Sequence, residues 1–405
     1  MNALFKNYIN TFRGLSTEVW WLALITLINR AGTMVIPFLT IYLDEDLQFT
    51  KPDIGWIMSF FGIGSLVGTW VGGKLTDKIG YYKVMFFSLF LTAVFFVLLQ
   101  YATTFNEFCF GIFIVMLVAD AFRPAMFVAL NAYSKPENKT RSVTLIRLAI
   151  NLGFSVGPAI GGIIIVSIGY QGLFWVDGIT CALAGILLLN VLHPKKAKIL
   201  DVVKVDNPVS AYKDKAFWVF FIAMFIFGFT FLQYFSTMPL YYKDVRMMSE
   251  LDIGLLMGFN GFFIFVFEMP LINWLQKTKN SKIKLIAIGL FLVAISFFLL
   301  NVTSWIWIVV IGMLFMTIGE MIAFPFSNAF AVERAKKGNQ GEYMALYAIA
   351  FSLSHIFSHN SGMQMVDKLG FETTLNMLTI FALVGVFILW VLMKILKKEK
   401  ETQSK

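Results

Sequence analysis

Twelve apolar stretches of membrane-spanning length follow one another along this chain, and they dictate what it can fold into. They run over 19–43, 53–75, 84–101, 106–130, 143–166, 171–193, 216–240, 251–273, 283–300, 305–330, 341–364 and 373–396. A helix needs about 20 mostly apolar residues to cross a bilayer. Hydrophobic residues supply 58% of the chain and charged ones only 14%, a balance that excludes a soluble domain. The first stretch is too long for a cleaved signal, carries Arg30 and leads directly into the rest.

The second half repeats the first. Asp53-Ile54-Gly55-Trp56-Ile57-Met58 returns 199 residues later as Asp252-Ile253-Gly254-Leu255-Leu256-Met257. The segment after the second stretch, Gly73-Lys74-Leu75-Thr76-Asp77-Lys78, has a weaker copy after the eighth, Asn273-Trp274-Leu275-Gln276-Lys277. A membrane chain of this kind is predicted to form two similar bundles with the site where they meet. The expectation is an all-α membrane protein of twelve transmembrane helices. Residues 1–193 form one six-helix bundle, 194–215 a polar linker, and 216–405 the second bundle.

Net charge is +9, but its distribution points away from nucleic acid. Of 33 Lys and Arg, 26 fall in the termini and alternate loops, whereas only Lys51, Lys243, Arg246 and Lys368 fall in the intervening ones. Such a bias puts the basic loops and both termini on the cytoplasmic side. Cys109 and Cys181 lie inside apolar stretches and are expected as free, buried thiols. Three histidines without HExxH, and the absence of GxxxxGK[ST], leave no support for an enzyme, a bound metal, another cofactor or an ATP site.

Ionisable residues inside the spans are the functional candidates, since each costs about 2.5–3.5 kcal/mol at a helix centre and calls for partners or water. Asp120 and Arg123 share a face of the fourth span. Arg30 lies in the first span, and Arg147 in the fifth with Asn151 one turn on. In the second half, Glu268 and Glu320 are the carboxyls, and Glu320 stands 200 residues from Asp120. Asp120, Glu268 and Glu320 are therefore the candidates for proton exchange. Asp177 reads as a helix cap or a helix-pairing residue. His355 and His359, one turn apart among serines, read as polar lining of a cavity, and so does Gln233 beside Phe231, Tyr234 and Phe235.

Three segments carry a resemblance to the major facilitator superfamily. GGKLTDKIGYYK, residues 72–83, resembles that superfamily's loop between helices 2 and 3, with Gly73, Asp77, Lys78 and Gly80 in place and Tyr81 and Tyr82 where basic residues are usual. Gly153-Phe154-Ser155-Val156-Gly157-Pro158-Ala159-Ile160-Gly161-Gly162 resembles the helix-5 signature of the drug:proton antiporters. Glycines every four residues leave a face open to another helix, here expected to be helix 8 through Gly254 and Gly258. Gly319-Glu320 followed by Pro325, together with Arg123-Pro124, is similar to patterns in proton-coupled oligopeptide transporters, whose ExxER pattern keeps only Arg30 here. The resemblance implies a monomeric secondary transporter in a bacterial cytoplasmic membrane. It would exchange a small-molecule substrate and protons across the lipid bilayer, by efflux of amphipathic compounds or by proton-coupled symport of peptides or sugars. Gly73, Asp77, Lys78, Gly80, Gly153, Gly157, Pro158, Gly161 and Gly162 would then serve gating.

Overall fold

A computed structural model describes residues 14–135, 138–195, 210–335 and 340–403, and every regular element among them is helical. Among the described residues eleven helices are long and apolar enough to cross a membrane. In chain order they begin with α1 (Thr17–Glu45), α2 (Lys51–Ile79), α3 (Tyr81–Leu99), α4 (Phe105–Tyr133), α5 (Lys139–Ile168) and α6 (Gln171–Val191). The second half supplies α7 (Lys215–Val245), α8 (Glu250–Gln276), α9 (Lys282–Val302) and α10 (Ile308–Ala335). The last, Gln340–Gln403, is split by Gly370 at φ 76° and ψ 169° into α11, 340–369, and α12, 371–403. Each piece exceeds the crossing length. Residues 196–209 of the expected linker, Lys196 included, lie outside the described residues.

Local chemistry sets the helix ends. The repeated Asp-Ile-Gly motif sits in the first turn of its helix, and the hydroxyl residue before that turn, Thr50 or Ser249, is the cap. Thr50 donates to Asp53 at 2.6 Å, and Ser249 donates to Asp252 at 2.7 Å. In return, the amides of Asp53 and Asp252 donate to the hydroxyls of Thr50 and Ser249. Thr104 and Glu107 form a reciprocal capping box on α4. Gly80, at φ 87°, is the whole connection between α2 and α3. A side chain there would strain the backbone. The segment 73–79, expected as loop, is thus the end of α2.

The first helix of each half is broken. α1 is interrupted at 32–34, and the amides of Met34 and Val35 donate to the buried Asp177 carboxylate of α6 at 2.8–3.0 Å. The cap reading of Asp177 is borne out. α7 tightens at Gln233–Phe235, resumes at Thr237–Leu240 and widens over Tyr241–Val245.

Packing divides the chain into two compact units, one of Met1–Tyr42, Phe60–Asp201 and Met248–Phe265, the other of Leu43–Ser59, Val202–Met247 and Val266–Lys405. Each unit is mostly one half of the chain with a helix start from the other. The first is centred on Leu22, Met85, Phe122, Ile146 and Leu188. The second buries Phe217, Phe220, Phe227, Leu290, Val293, Phe297 and Leu378.

Candidate functional site

A glycine ladder sets up the polar centre of the first unit. Cβ atoms on Gly64 and Gly72 would lie 2.5 Å from the Phe113 carbonyl oxygen and the Ala121 Cα, and one on Gly68 would strike Leu117. Only bare glycines let α2 approach α4 this closely. The approach brings Ser65, beside the ladder, to donate its hydroxyl to the Asp120 carboxylate. Arg30 of α1 lies within electrostatic reach of both Asp120 and Arg123. Its guanidinium also sits 5.8 Å from the Phe154 ring centre of α5.

The structure therefore brings Arg30, Asp120 and Arg123 together. Asp120 takes its hydrogen bond from Ser65, and among the described residues Arg123 makes no ion pair with it and is exposed. Arg147 and Asn151 are half-buried on α5, and both have interaction partners. Cys109 and Cys181 are buried thiols outside any disulfide among the described residues; the Asn29 amide donates to Cys181 sulfur at 3.6 Å.

Gly162 of α5 meets α8 as expected, but the other three motif glycines face a different neighbour. A Cβ on Gly153 would meet Arg30 Cβ at 2.6 Å, and one on Gly157 would meet the Ala31 carbonyl oxygen at 2.9 Å. One on Gly161 would meet Phe38 at 3.0 Å. That ladder seats α1. The α8 glycines lie instead against Ser155, Pro158, Ala159 and Gly162. There the Ser155 hydroxyl donates to the Gly258 carbonyl at 2.7 Å. Glycines recurring every four residues announce a close approach without saying to what, and α5 has two such faces.

The repeated motif makes a comparable seam in the second unit. A Cβ on Gly55 would lie 3.1 Å from Asn360 Cα on α11, and Ser59 donates to the Ile356 carbonyl at 2.8 Å. Asp77 and Lys78 are exposed at the end of α2. Among the described residues Asp77 holds no hydrogen bond or ion pair. A Cβ on Gly73 would meet nothing within 4 Å.

In the second unit, Glu268 is buried, with 6% of its surface exposed, and Glu320 is half-buried; both have partners. Glu320 precedes by one turn Phe324, whose ring meets Phe227 and Phe231 at 4.9 Å and Phe351 at 5.5 Å. Gln233 is fully buried rather than cavity-lining. Its amide donates to the Ser358 carbonyl at 2.8 Å while its oxygen accepts from Thr237, which pins the break in α7 to α11. His355 is half-buried, and His359, its ring 5.8 Å away, is buried as well and lines no open cavity. Among the described residues no group of three or more metal-ligating side chains converges.

One buried ionic cluster had no forewarning. Arg334 at the end of α10 donates to Asp214 at 2.6 and 2.8 Å and to Glu399 of α12 at 2.7 and 2.9 Å. Asp214 caps α7 through the Phe217 amide and accepts the Tyr343 hydroxyl at 2.9 Å. Burial alone would raise the Asp214 carboxyl, but Arg334, Tyr343 and the Phe217 amide hold it below its ordinary value.

Broken first helices, capped repeat motifs and charges set within apolar spans are the anatomy of a secondary transporter. The sequence profile of the Major Facilitator Superfamily matches residues 22–359. The chain belongs to this superfamily. The transporter is 23% identical over 396 residues to a Na(+), Li(+), K(+)/H(+) antiporter of Planococcus maritimus, covering 89% of this chain and 92% of that one. It is 26% identical over 307 residues to the quinolone resistance protein NorA of Staphylococcus aureus, covering 74% and 77%. Among solved structures, a POT family transporter in complex with 5-aminolevulinic acid superposes with a TM-score of 0.79 at 15% identity, covering 94% of this chain and 96% of that one. The nucleoside transporter NupG (D323A mutant) does so at 0.77 and 13%, covering 93% and 100%. These likenesses establish the fold. The protein is an integral membrane transporter and not an enzyme.

Proposed function

We propose that the transporter exports amphipathic compounds in exchange for protons, by alternating access of two six-helix bundles, as a monomer with both termini cytoplasmic. The observation that carries this reading is the placement of Asp120, Glu268 and Glu320 within apolar spans, with Glu268 buried and Asp120 hydrogen-bonded. A carboxyl that gains and loses a proton as its surroundings alternate between dry and wet biases the same two-state equilibrium that substrate binding biases. Glu320 is assigned the coupling role, standing one residue past the repeat counterpart of Asp120 and one turn from an aromatic cluster. The positive-inside bias supports the orientation. Inverted vesicles energised with an acid interior test it: an amphipathic dye should accumulate, releasing protons as it enters. Substrate leaving preloaded vesicles together with the proton would instead make the protein a symporter of peptides, sugars or other metabolites.

A second reading is exchange of monovalent cations for protons. It is favoured by the Planococcus maritimus relative, whose similarity runs over 89% of this chain. The same vesicles separate the two, since release of the stored protons by Na+, Li+ or K+, with no response to dyes, selects cation exchange.

A further inference from the structure

The pattern Trp-x3-Lys-x3-Lys occurs twice in the chain, as Trp70, Lys74 and Lys78 and as Trp390, Lys394 and Lys398. The first closes α2 in the first unit, and the second closes the apolar run of α12 in the second unit. Four-residue spacing puts each trio on one helix face. Both tryptophans are turned outward, 60% and 45% exposed. Helical side chains lean toward the N-terminus, so the first lysine of each trio reaches back over the indole one turn earlier. The Lys74 ammonium lies 3.8 Å from the Trp70 ring centre, and the Lys394 ammonium 3.5 Å from that of Trp390. Tryptophan sits at the level of lipid headgroups. Each ring thus holds a cation at that level instead of letting it extend into water.

All four lysines are exposed, and among the described residues none makes a hydrogen bond or an ion pair. The carboxylates near the second trio are engaged elsewhere, Glu399 with Arg334 and Glu401 with Lys397. Near the first trio, Asp77 stands exposed between the two lysines. An apolar stripe adjoins Trp390: the Phe387 ring lies 5.6 Å away, and Val384 and Ile380 continue it, all exposed. The ten residues from Val384 to Lys394 rise about 15 Å, half the hydrocarbon thickness of a bilayer. Paired cations above an apolar stripe one leaflet deep suit a molecule with an anionic head and an acyl tail. We propose that Trp390, Lys394 and Lys398 bind an anionic phospholipid, its phosphodiester between the two ammonium groups and an acyl chain along Phe387 and Val384. Trp70, Lys74 and Lys78 form a second site of the same kind, weaker because Asp77 repels the phosphate. Each ammonium offers three donors to phosphate oxygens. A zwitterionic lipid brings its own cation, which competes with the lysines for that phosphate. The inference does not depend on what the transporter carries.

Native mass spectrometry of the full-length protein in a neutral detergent tests it, with phosphatidylglycerol and phosphatidylcholine of the same acyl chains as probes. Two phosphatidylglycerol molecules should bind ahead of any phosphatidylcholine. Lys394→Gln/Lys398→Gln should weaken the tighter adduct about tenfold or more, the scale expected for two lysines at a membrane surface. Lys74→Gln/Lys78→Gln should remove the weaker adduct and spare the tighter one. Lys394→Arg/Lys398→Arg should keep the affinity. Trp390→Leu leaves both charges in place and should still weaken binding, which charge alone would not do. Lys135→Gln/Lys279→Gln takes the same charge from two loops and should change neither adduct. Gel filtration checks folding, and if a glutamine pair aggregates, Trp390→Leu decides. Equal binding of the two lipids, an unchanged tight adduct in the folded Lys394→Gln/Lys398→Gln protein, or an equal loss in the loop pair would overturn the assignment. Displacement of the lipid by excess inorganic phosphate would make this a phosphate site and sink the lipid.

Discussion

Ser155 on α5 and Gly258 on α8 are joined by a hydroxyl-to-carbonyl bond of 2.7 Å, the point at which the signature of one half meets the repeated motif of the other. Ser59 and Ile356 make a second such bond at 2.8 Å between α2 and α11. Gly258 stands 199 residues after Ser59, so one repeat position serves both seams, as donor in one and acceptor in the other. Ser155→Ala should cost about 1 kcal/mol. Thermal unfolding in detergent checks it, and an unchanged transition would mean that the bond adds nothing.

Gly157 and Gly73 are both motif glycines, and they should behave oppositely. A Cβ on Gly157 meets the Ala31 carbonyl oxygen at 2.9 Å, so Gly157→Leu pushes α5 off α1 at a cost of about 1–3 kcal/mol. Gly73 has open space around it, so Gly73→Ala should raise stability by about 0.5–1 kcal/mol. Unfolding midpoints of the two variants are the measurement. A stable Gly73→Ala protein with slowed transport would locate that glycine's role in motion.

The Asp214–Arg334 pair should make the second unit sensitive to acid. Because the native Asp214 carboxyl is held below its ordinary value, its contribution is fully present above the ordinary carboxylate range, about pH 4. It is lost as pH falls through the lowered native value. Asp214→Asn leaves Arg334 short of a partner and should cost about 3–5 kcal/mol. It should also flatten the acid limb of a stability-against-pH curve. A variant with the wild-type acid limb would show that other groups set it.

Glu320→Gln keeps shape and hydrogen bonding but removes titration. It should abolish proton-driven accumulation while preserving downhill exchange of substrate. Asp120→Asn keeps an acceptor for Ser65 and should retain the fold. If Glu320→Gln still concentrates substrate with an unaltered pH dependence, the proton site moves to Glu268 or Asp120.

Spans, repeat and intramembrane charges were legible because lipid demands long apolar helices and penalises every ion placed inside them. Partners were not. Gly153, Gly157 and Gly161 announce a close approach, yet nothing in their spacing distinguishes α1 from α8. Ser65 was hidden among the glycines of α2, although a hydroxyl beside a small-residue ladder is a signal for a contact across it. Gln233 reads as polar lining because a polar residue in an apolar run suggests water; its buried ties to Ser358 and Thr237 depend on α11, remote in sequence. Arg334 stands in the sequence as one more basic residue beside a loop, because Asp214 and Glu399 reach it from elements distant along the chain.

The single glycine between α2 and α3 has a mechanical consequence. With only Gly80 joining Ile79 to Tyr81, there is no slack to absorb a tilt of α2. Any swing of that helix is delivered to α3 as torque through one left-handed residue, as a rigid elbow transmits load. Two added glycines after Gly80 would turn the elbow into a rope and let α2 move without its neighbour.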